Sequence, residues 1–243
     1  GNLQTISSVN VSAWPRRLEG SYMPVFTVGT GYGKAIAASL NIPFQTFSHQ
    51  EGHVMAALYG TEEVSVPFLA LHLSGGTTEL LKVHRQCGGM HIEKIGGTLD
   101  LNFGQLIDRI GVSLGYPFPC GKHMDNAGEI SADCKKIRVK MSEDLQFNIS
   151  GLENKISALP PGQQVSVLFR TIGELTKDWV NAAQRKYGIR QVVISGGVAA
   201  NSIIRKLLEE EHIHFASLEL SSDNAVGLSM LGAQIERRQS CRS

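Results

Sequence analysis

The sequence predicts an α/β fold, because segments with strand character alternate with segments of helical spacing along its 243 residues. The apolar run at 66–73 is typical of a strand buried on both faces, and it leads into a glycine-rich turn. The same order of strand, glycines and helix returns near residue 195. With 42% hydrophobic and 19% charged residues, the chain can bury a core as one large domain or as two small lobes.

The composition narrows the classes of function. The net charge of +1 provides no global basic field, so any contact with RNA must be local or shared with a partner. The four cysteines form no C-x-x-C pair, which favours free thiols in a reducing compartment. No apolar stretch is long enough to span a membrane, and no signal peptide opens the chain. We therefore expect a cytoplasmic protein, and the missing initiator Met is consistent with a fragment.

The first part of the chain follows the order strand, helix, strand, helix. Strands are predicted at 8–13 and 43–47, a helix spans 21–40 between them, and a second helix begins at Ser48. This order implies a right-handed crossover between two parallel strands. The predicted buried face of the first helix consists of Phe26, Ile36, Ala37 and Leu40.

The remainder of the chain alternates in the same way. Further strands are predicted at 66–73, 79–84, 91–95, 137–141, 191–194 and 214–218. Helices are predicted at 103–114, 125–134, 151–159, 165–185, 201–211 and 224–237.

Two histidines on one helix are the main candidates for chemistry. His49 and His53 are four residues apart, so their imidazoles share a helix face and can close on one metal ion. Ser48 and Glu51 complete a capping box that favours a helix start at this point. The alternative is a pair of partly exposed histidines on an ordinary helix. A zincin-type peptidase is disfavoured, because Gln50 stands where that class needs a glutamate as general base.

Two glycine-rich turns follow predicted strands and can present backbone N–H groups to an anion or a nucleotide. Most Gly-Gly turns are only turns, so the pattern alone leaves both interpretations open. The two turns are Ser74-Gly75-Gly76-Thr77-Thr78 and Ser195-Gly196-Gly197-Val198.

Four motifs taken together resemble one family. They are residues 48–53 (SHQEGH), 74–80 (SGGTTEL), 196–201 (GGVAAN) and 221–225 (SSDNA). Their order and spacing resemble the TsaD/Gcp/OSGEP family of tRNA threonylcarbamoyladenosine biosynthesis, historically described as O-sialoglycoprotein endopeptidases (peptidase M22). Further motifs extend the resemblance over nearly the whole chain, at 98–109, 115–121 and 147–152.

The resemblance implies an actin-like ATPase fold of two ribonuclease-H-like lobes, with the first lobe incomplete. Residues 1–64 would form part of the N-terminal lobe, with a helix at 224–243 packed back on it, and 65–223 would form the C-terminal lobe. The implied reaction transfers threonylcarbamoyl from threonylcarbamoyl-AMP to the tRNA adenosine on the 3′ side of the anticodon. The implied ligands are one divalent iron or zinc ion, and ATP or threonylcarbamoyl-AMP.

The resemblance also implies roles for individual residues. The metal ligands would be His49, His53 and Asp223. The groups that hold phosphate, carbamoyl or nucleoside would be Leu73, Ser74, Gly75, Gly76, Thr77, Asp108, Gly121 and Asn201. For the last three, the alternatives are a surface carboxylate on a helix and ordinary turn and cap chemistry.

His72 is a further candidate metal ligand. Because side chains alternate along a strand, His72 and Ser74 point the same way, and some members of the resembled family carry a tyrosine near this position that can reach the metal. A fourth protein ligand would close a tetrahedral zinc site and make it structural, whereas three ligands leave a position for substrate. The alternative is a core or edge histidine hydrogen-bonded to a backbone carbonyl.

Departures from the family pattern keep other functions open. The family's first phosphate loop is missing, and substitutions fall at Arg16-Arg17, Thr77, Glu79, Gln105 and Glu153. The second hypothesis is therefore a catalytically weak paralogue that binds metal and nucleotide as a regulatory or scaffold subunit. A metallopeptidase, as in the historical description, is the third.

The resemblance implies tRNA as substrate and a protein partner on the first lobe. That partner is expected to be an actin-like protein of the TsaB type or a second copy of the chain, and the helix at 21–40 would be part of the surface. A strand at 8–13 whose sheet has lost its neighbours would also expose an edge that pairs with another chain.

Overall fold

The computed structural model describes residues 6–60, 64–86, 89–125, 135–217, 219–220 and 224–240. The chain divides into two units. The first comprises Gly1–Val66, Val83–Ile92 and Glu219–Ser243, and the second comprises Pro67–Lys82 and Glu93–Leu218.

The first unit is built on two parallel strands, β1 (Val9–Trp14) and β2 (Phe44–Ser48), joined by helix α1 (Pro24–Leu40). Pro24 stands in the first turn of α1, where its missing N–H costs no hydrogen bond, and Asn41 ends the helix in the left-handed region with a φ of 53°. The parallel pairing predicted from the sequence is confirmed.

Helix α1 packs on this sheet through small side chains. Gly33 and Ala37 are buried, and Gly33 lets the helix approach Val11 and Phe44 closely. The prediction that Ile36 is buried was wrong, since 48% of this residue is exposed. Successive residues of an α-helix are rotated by about 100° around its axis. Because Ala37 faces the sheet, the preceding residue Ile36 points away from it.

Two helices of the first unit cross at close range. Helix α2 (His49–Ala57) contacts helix α8 (Ala225–Ser240), and α8 also contacts β1. A Cβ added to Gly227 would overlap the backbone carbonyl of Gly52, and a Cβ on Gly52 would overlap the amide of Asn224. The glycines are therefore what allows the two helices to approach, and no larger side chain fits between them.

The larger sheet has six strands in the order β6, β5, β4, β3, β7, β8. The strands β3 and β7, β7 and β8, and β5 and β6 pair in parallel. The connections from β3 to β4 and from β4 to β5 are too short for a parallel crossover, so these strands run antiparallel. The carboxyl ends of β3, β5, β6, β7 and β8 consequently share one edge, called here the carboxyl edge. The strand bounds are β3 (Phe68–Leu73), β4 (Thr78–Gln86), β5 (Gly89–Thr98), β6 (Gln146–Phe147), β7 (Val192–Ser195) and β8 (Ile213–Phe215).

Five α-helices lie within the described residues of the second unit, and they bury a large apolar core with the sheet. Trp179 is fully buried in it, donates its indole N–H to the carbonyl of Leu145 at 2.9 Å, and lies edge-on to Phe147. The helices are α3 (Phe103–Ser113), α4 (Gly121–Asp125), α5 (Ser150–Ser157), α6 (Pro161–Tyr187) and α7 (Ser202–Leu207), and a 3-10 turn spans Gly197–Ala200.

Two predicted elements differ from the structure. The segment 137–141 is not a strand, because the Ile137 N–H is bound by the Thr171 hydroxyl at 3.0 Å and only Met141 forms a bridge, with Phe147. The helix predicted at 201–211 ends at Leu207, since the chain turns at Glu210, whose carbonyl accepts the N–H of Ile213, to begin β8.

Some predictions fall outside the described residues. The helix predicted at 125–134 is described only at Asp125, the last described residue of α4. Within the part of the chain that the structure describes, no helix is both long and apolar enough to cross a membrane.

The close crossing of α2 and α8 can be tested with glycine substitutions. Gly227→Ala should lower the free energy of unfolding by about 1–3 kcal/mol, because the new methyl group meets the Gly52 backbone. Gly31→Ala in α1 is the matched control: its methyl group enters open space, and restricting the unfolded chain should stabilise the protein by about 0.4–1 kcal/mol. Urea denaturation followed by circular dichroism measures both. Equal stability of the two variants would contradict the crossing.

Candidate functional site

His49 and His53 face each other on the first turn of α2. Their Nε2 atoms are 3.1 Å apart, and the two rings are nearly perpendicular, with centroids 4.5 Å apart. Burial lowers the pKa of His49, which favours the neutral imidazole that a metal ion requires. The prediction that both side chains share one helix face is confirmed.

This separation suits one bound metal ion. Two metal–nitrogen bonds of about 2.1 Å, at an angle between 90° and the tetrahedral value, hold their nitrogens roughly 3.0–3.4 Å apart. An N–H···N hydrogen bond between the rings is compatible with the same distance. The third predicted ligand, Asp223, lies outside the described residues, and within those residues no three histidine, cysteine or carboxylate side chains form a metal-binding cluster.

A buried carboxylate sets the start of the helix that carries the histidines. Glu51 is fully buried, and its Oε2 accepts the backbone N–H of Ser48 at 2.8 Å and the Ser48 hydroxyl at 2.8 Å. The Ser48 hydroxyl in turn accepts the N–H of Glu51, so the predicted capping box is confirmed. Arg17 and the N–H of Met90 complete the shell, at 3.2 and 3.0 Å.

Asn224 ties α8 to the same helix. Its side-chain amide donates to the carbonyl of His49 at 3.0 Å and to the hydroxyl of Ser12 at 3.3 Å. Asn224 directly follows Asp223 in the sequence, and its own side-chain amide lies beside the backbone of His49. Sequence reasoning assigned no role to Asn224 or Arg17. Asn224 lies within one of the four family motifs, whereas Arg17 stood out only as a departure from the family pattern.

In the second unit, the turn after β3 is held open at the carboxyl edge. The Ser74 N–H bonds to the Thr77 carbonyl at 2.8 Å, and the side-chain amide of Asn102 donates to the Gly76 carbonyl at 3.0 Å. Gly75 and Gly76 are exposed, and a Cβ added to either would enter open space. Leu73, by contrast, is fully buried at the end of β3. The turn is thus fixed in position while its glycine backbone stays accessible.

Helix α4 brings together the three residues predicted to hold a nucleoside. The Asp108 carboxylate accepts the N–H of Cys120 at 2.8 Å, immediately before Gly121 begins the helix. Asn201 donates to the carboxylate of Asp125, the last residue of α4, at 2.8 Å. Asp125 was missed by sequence reasoning, which had no local signal for it.

Asn201 also caps α7. Its side-chain oxygen accepts the N–H groups of Ile203 and Ile204 at 3.1 and 3.0 Å. Cap chemistry, the alternative weighed from the sequence, therefore accounts for the Asn201 oxygen. The roles of Asp108, Gly121 and Asn201 toward a nucleoside stay predictions.

His72 lies half-buried near the end of β3. Its Nδ1 is 3.3 Å from the hydroxyl of Ser195 on β7. The alternative interpretation of His72 expected a hydrogen bond to a backbone carbonyl. The contact with the Ser195 hydroxyl joins the imidazole to the neighbouring strand. Its role as a fourth metal ligand stays a prediction.

Asp100 links the end of β5 to the start of α5. Its carboxylate accepts the N–H groups of Leu101, Ile149 and Ser150 at 2.6–3.0 Å. Partial burial alone would raise the pKa of Asp100, but the hydrogen bonds from Ile149, Ser150 and Leu101 outweigh it and hold the pKa well below its ordinary value.

The chain has an actin-like fold, which it shares with two solved HypF structures. A crystal structure of full-length HypF in its phosphate- and nucleotide-bound form matches with a TM-score of 0.63 and 14% identity, over 87% of this chain and 45% of that one. The HypF structure of T. kodakarensis matches with a TM-score of 0.65 and 14% identity, over 84% of this chain and 38% of that one.

The chain belongs to the TsaD family, described as tRNA N6-adenosine threonylcarbamoyltransferase, whose sequence model matches residues 3–229. The relative of that name from Polynucleobacter necessarius is 31% identical over 85% of this chain and 64% of its own length. The one from Streptococcus equi subsp. equi is 33% identical over 86% of this chain and 65% of its own length. The family predicted from the motifs is confirmed, and the chain spans about two thirds of the length of these relatives.

The low pKa of Asp100 predicts a pH dependence of stability. The unfolded carboxyl binds its proton near pH 3.8, whereas the folded one resists protonation until lower pH. Stability from Asp100 is therefore present above about pH 4 and is lost as the pH falls below that value. Denaturation of Asp100→Asn between pH 3 and 6 should show a lower stability at pH 6 and a smaller loss toward pH 3 than the parent chain. Parallel curves would contradict the assignment.

Proposed function

We propose that this chain provides the metal- and nucleotide-binding parts of a TsaD-type transferase. In that reaction, threonylcarbamoyl passes from threonylcarbamoyl-AMP to the tRNA adenosine on the 3′ side of the anticodon. The family match and the name shared by the relatives support the reaction class. The single observation that carries the proposal is the pair of Nε2 atoms of His49 and His53, 3.1 Å apart on a helix that Glu51 fixes.

We assign one divalent iron or zinc ion to His49, His53 and Asp223, with His72 as a candidate fourth ligand. Neutral imidazoles with a carboxylate form a donor set that suits either metal. When bound, the metal would supply a Lewis acid for the carbamoyl carbonyl. The chain's own part is to keep the His49 imidazole neutral by burial and to fix the backbone of His49 through Asn224.

ATP or threonylcarbamoyl-AMP is assigned to the carboxyl edge of the second unit. The exposed glycine backbone at Ser74–Thr77 can approach phosphate or carbamoyl oxygens closely, because no Cβ intervenes. Asp108 and Asn201, gathered around α4, are assigned to the nucleoside. A carboxylate suits ribose hydroxyls, and an amide suits the polar edge of a base.

A second function is favoured by the hydrogen bonds at α4. The Asn201 amide is used at both ends, and Asp108 already accepts the N–H of Cys120. The second function, a catalytically weak paralogue that acts as a regulatory or scaffold subunit, would keep both of these structural roles. The peptidase hypothesis gains nothing, because the buried Glu51 carboxylate accepts hydrogen bonds from Ser48, Arg17 and Met90 and has no role left as a general base.

We also propose a partner for α1, either an actin-like protein of the TsaB type or a second copy of the chain. Four apolar side chains recur at intervals of three or four residues on the outward side of α1, each about half exposed or more: Val25, Val28, Tyr32 and Ile36. Such a stripe is typical of a helix that packs against another chain. With a tRNA substrate and a partner of this type, we propose that the protein acts in the cytoplasm.

Metal content tests the histidine pair. After incubation with Fe(II) under anaerobic conditions, or with Zn(II), and desalting, the parent chain should retain one equivalent of metal, and His49→Ala should retain none. His91→Ala is the matched control, because His91 lies near another histidine, with ring centroids 6.3 Å apart, but outside the pair. Elemental analysis gives the result, and unchanged metal in His49→Ala would refute the site.

Metal bound stoichiometrically, with no modified nucleoside formed from threonylcarbamoyl-AMP and tRNA, would support the second function.

The outward face of α1 predicts a concentration-dependent association. Tyr32→Asp should abolish it, because an ionised carboxylate cannot be buried in an apolar contact without a partner. Ala38→Asp adds the same charge at an exposed position on a different side of α1 and should associate like the parent chain. Sedimentation velocity of the chain alone and with an actin-like partner measures both cases. A parent chain that stays monomeric in both experiments would contradict the proposed surface.

A further inference from the structure

We propose that a basic pocket at the carboxyl edge of the second unit binds phosphates of the substrate RNA backbone. The assignment of RNA rests on the proposed function, and the location rests on the structure. The pocket is a cavity of about 460 Å³. Its lining includes Leu99, Arg138, Lys140, Ser142, Asn148 and Lys155.

The pocket carries positive charge that nothing in its lining neutralises. Arg138, Lys140 and Lys155 are exposed, and no carboxylate lines the cavity. None of the three forms an ion pair with a described residue, whereas Lys136 and Arg109 are paired with Glu174 and Glu153. In a chain with a net charge of only +1, this is a local cationic surface of the kind that RNA contact requires.

Asp100 is an acidic residue beside the pocket whose carboxylate is engaged by backbone N–H groups. Asp100 follows Leu99, which lines the cavity, but its carboxylate accepts the N–H groups of Ile149 and Ser150 at the start of α5. Its charge is therefore directed at the helix terminus and is partly offset there. The three cations remain available to an external anion.

The pocket is linked to the proposed reaction site by a short series of contacts. Asn102 bonds to the Gly76 carbonyl in the turn after β3, and Asp100, two residues earlier, holds the start of α5. Gly151 and Lys155 of α5 line the pocket. The cations thus lie on the same sheet edge as the turn assigned to phosphate or carbamoyl groups, so a polynucleotide reacting there would extend across them.

The lining suits a phosphodiester backbone. Lysine and arginine neutralise phosphates, and hydroxyl and amide groups such as those of Ser142 and Asn148 donate to phosphate and sugar oxygens. Leu99 is 60% exposed and offers an apolar contact for a sugar or base. Contacts of this kind position a strand without reading its sequence. An acidic peptide could bind the same cations. RNA is favoured because the neighbouring turn on this edge is assigned to phosphate or carbamoyl groups.

The test is the salt dependence of tRNA binding by the full chain. Fluorescence anisotropy with a labelled tRNA, between 50 and 200 mM NaCl, compares the parent with Arg138→Glu/Lys140→Glu. The control is Arg185→Glu/Arg190→Glu, an equal charge change at the end of α6 and before β7, at the opposite edge of the sheet. The pocket variant should bind tRNA roughly tenfold more weakly or worse at 50 mM, and the slope of log K against log salt should fall by about 2. Lys155→Ala should lower it by about 1.

Each outcome of the tRNA-binding experiment supports or overturns the assignment of the pocket to RNA. Equal slopes for the pocket variant and the control, with normal melting curves, would overturn the pocket. Full competition by millimolar inorganic phosphate would identify free phosphate as the ligand, and displacement by polyglutamate but not by unlabelled RNA would identify an acidic peptide. Both results overturn the RNA assignment. Pocket-dependent binding without nucleoside modification would leave the pocket standing and count against the transferase. Where modification occurs, the pocket variant should raise KM for tRNA and leave kcat unchanged.

Discussion

The arrangement of the first unit depends on the buried carboxylate of Glu51. An ionised carboxylate in a protein interior is unfavourable unless every lone pair is matched, and here Ser48, Arg17 and the N–H of Met90 supply the matching donors. These groups come from the loop after β1, the start of α2 and the start of β5. The same interaction that compensates the charge therefore joins three separate segments. Because Glu51 lies between His49 and His53 in α2, it also fixes the start of the helix that carries both imidazoles.

The departures from the family pattern have local partners in the structure. Arg17 bonds to Glu51, and Gln105 completes a capping box by accepting the N–H of Asn102 at 3.1 Å. Glu153 pairs with Arg109 and Glu79 with Lys94, each at 2.9 Å. A glutamine can cap a helix as a glutamate does, since only its oxygen is needed. These substitutions are thus accommodated where they occur, and they weigh less toward a loss of activity than the sequence alone suggested.

Short-range chemistry was predictable from the sequence, and long-range pairing was not. The capping box at Ser48 and the shared face of His49 and His53 depend on residues three or four apart, so the pattern contains them. The contact from Asn224 to His49 joins residues 175 positions apart, and no local pattern reports it. The strand predicted at 137–141 failed for the same reason, because a hydroxyl on α6 takes the hydrogen bond that a strand neighbour would need. Family resemblance supplied part of what local patterns lacked, namely the motif in which Asn224 lies.

The buried thiol of Cys120 can report local opening of the second unit. Its thiol is fully buried, contacts the carbonyls of Asp108 and Tyr116 at 3.6 Å, and has a pKa raised by burial and by the Asp108 carboxylate. A protonated, enclosed thiol does not react with alkylating reagents, so modification at this position requires the turn before α4 to open. The rate of alkylation at Cys120 therefore measures how often this turn opens beside the residues assigned to the nucleoside. A ligand held there would slow the reaction without touching the sulfur itself.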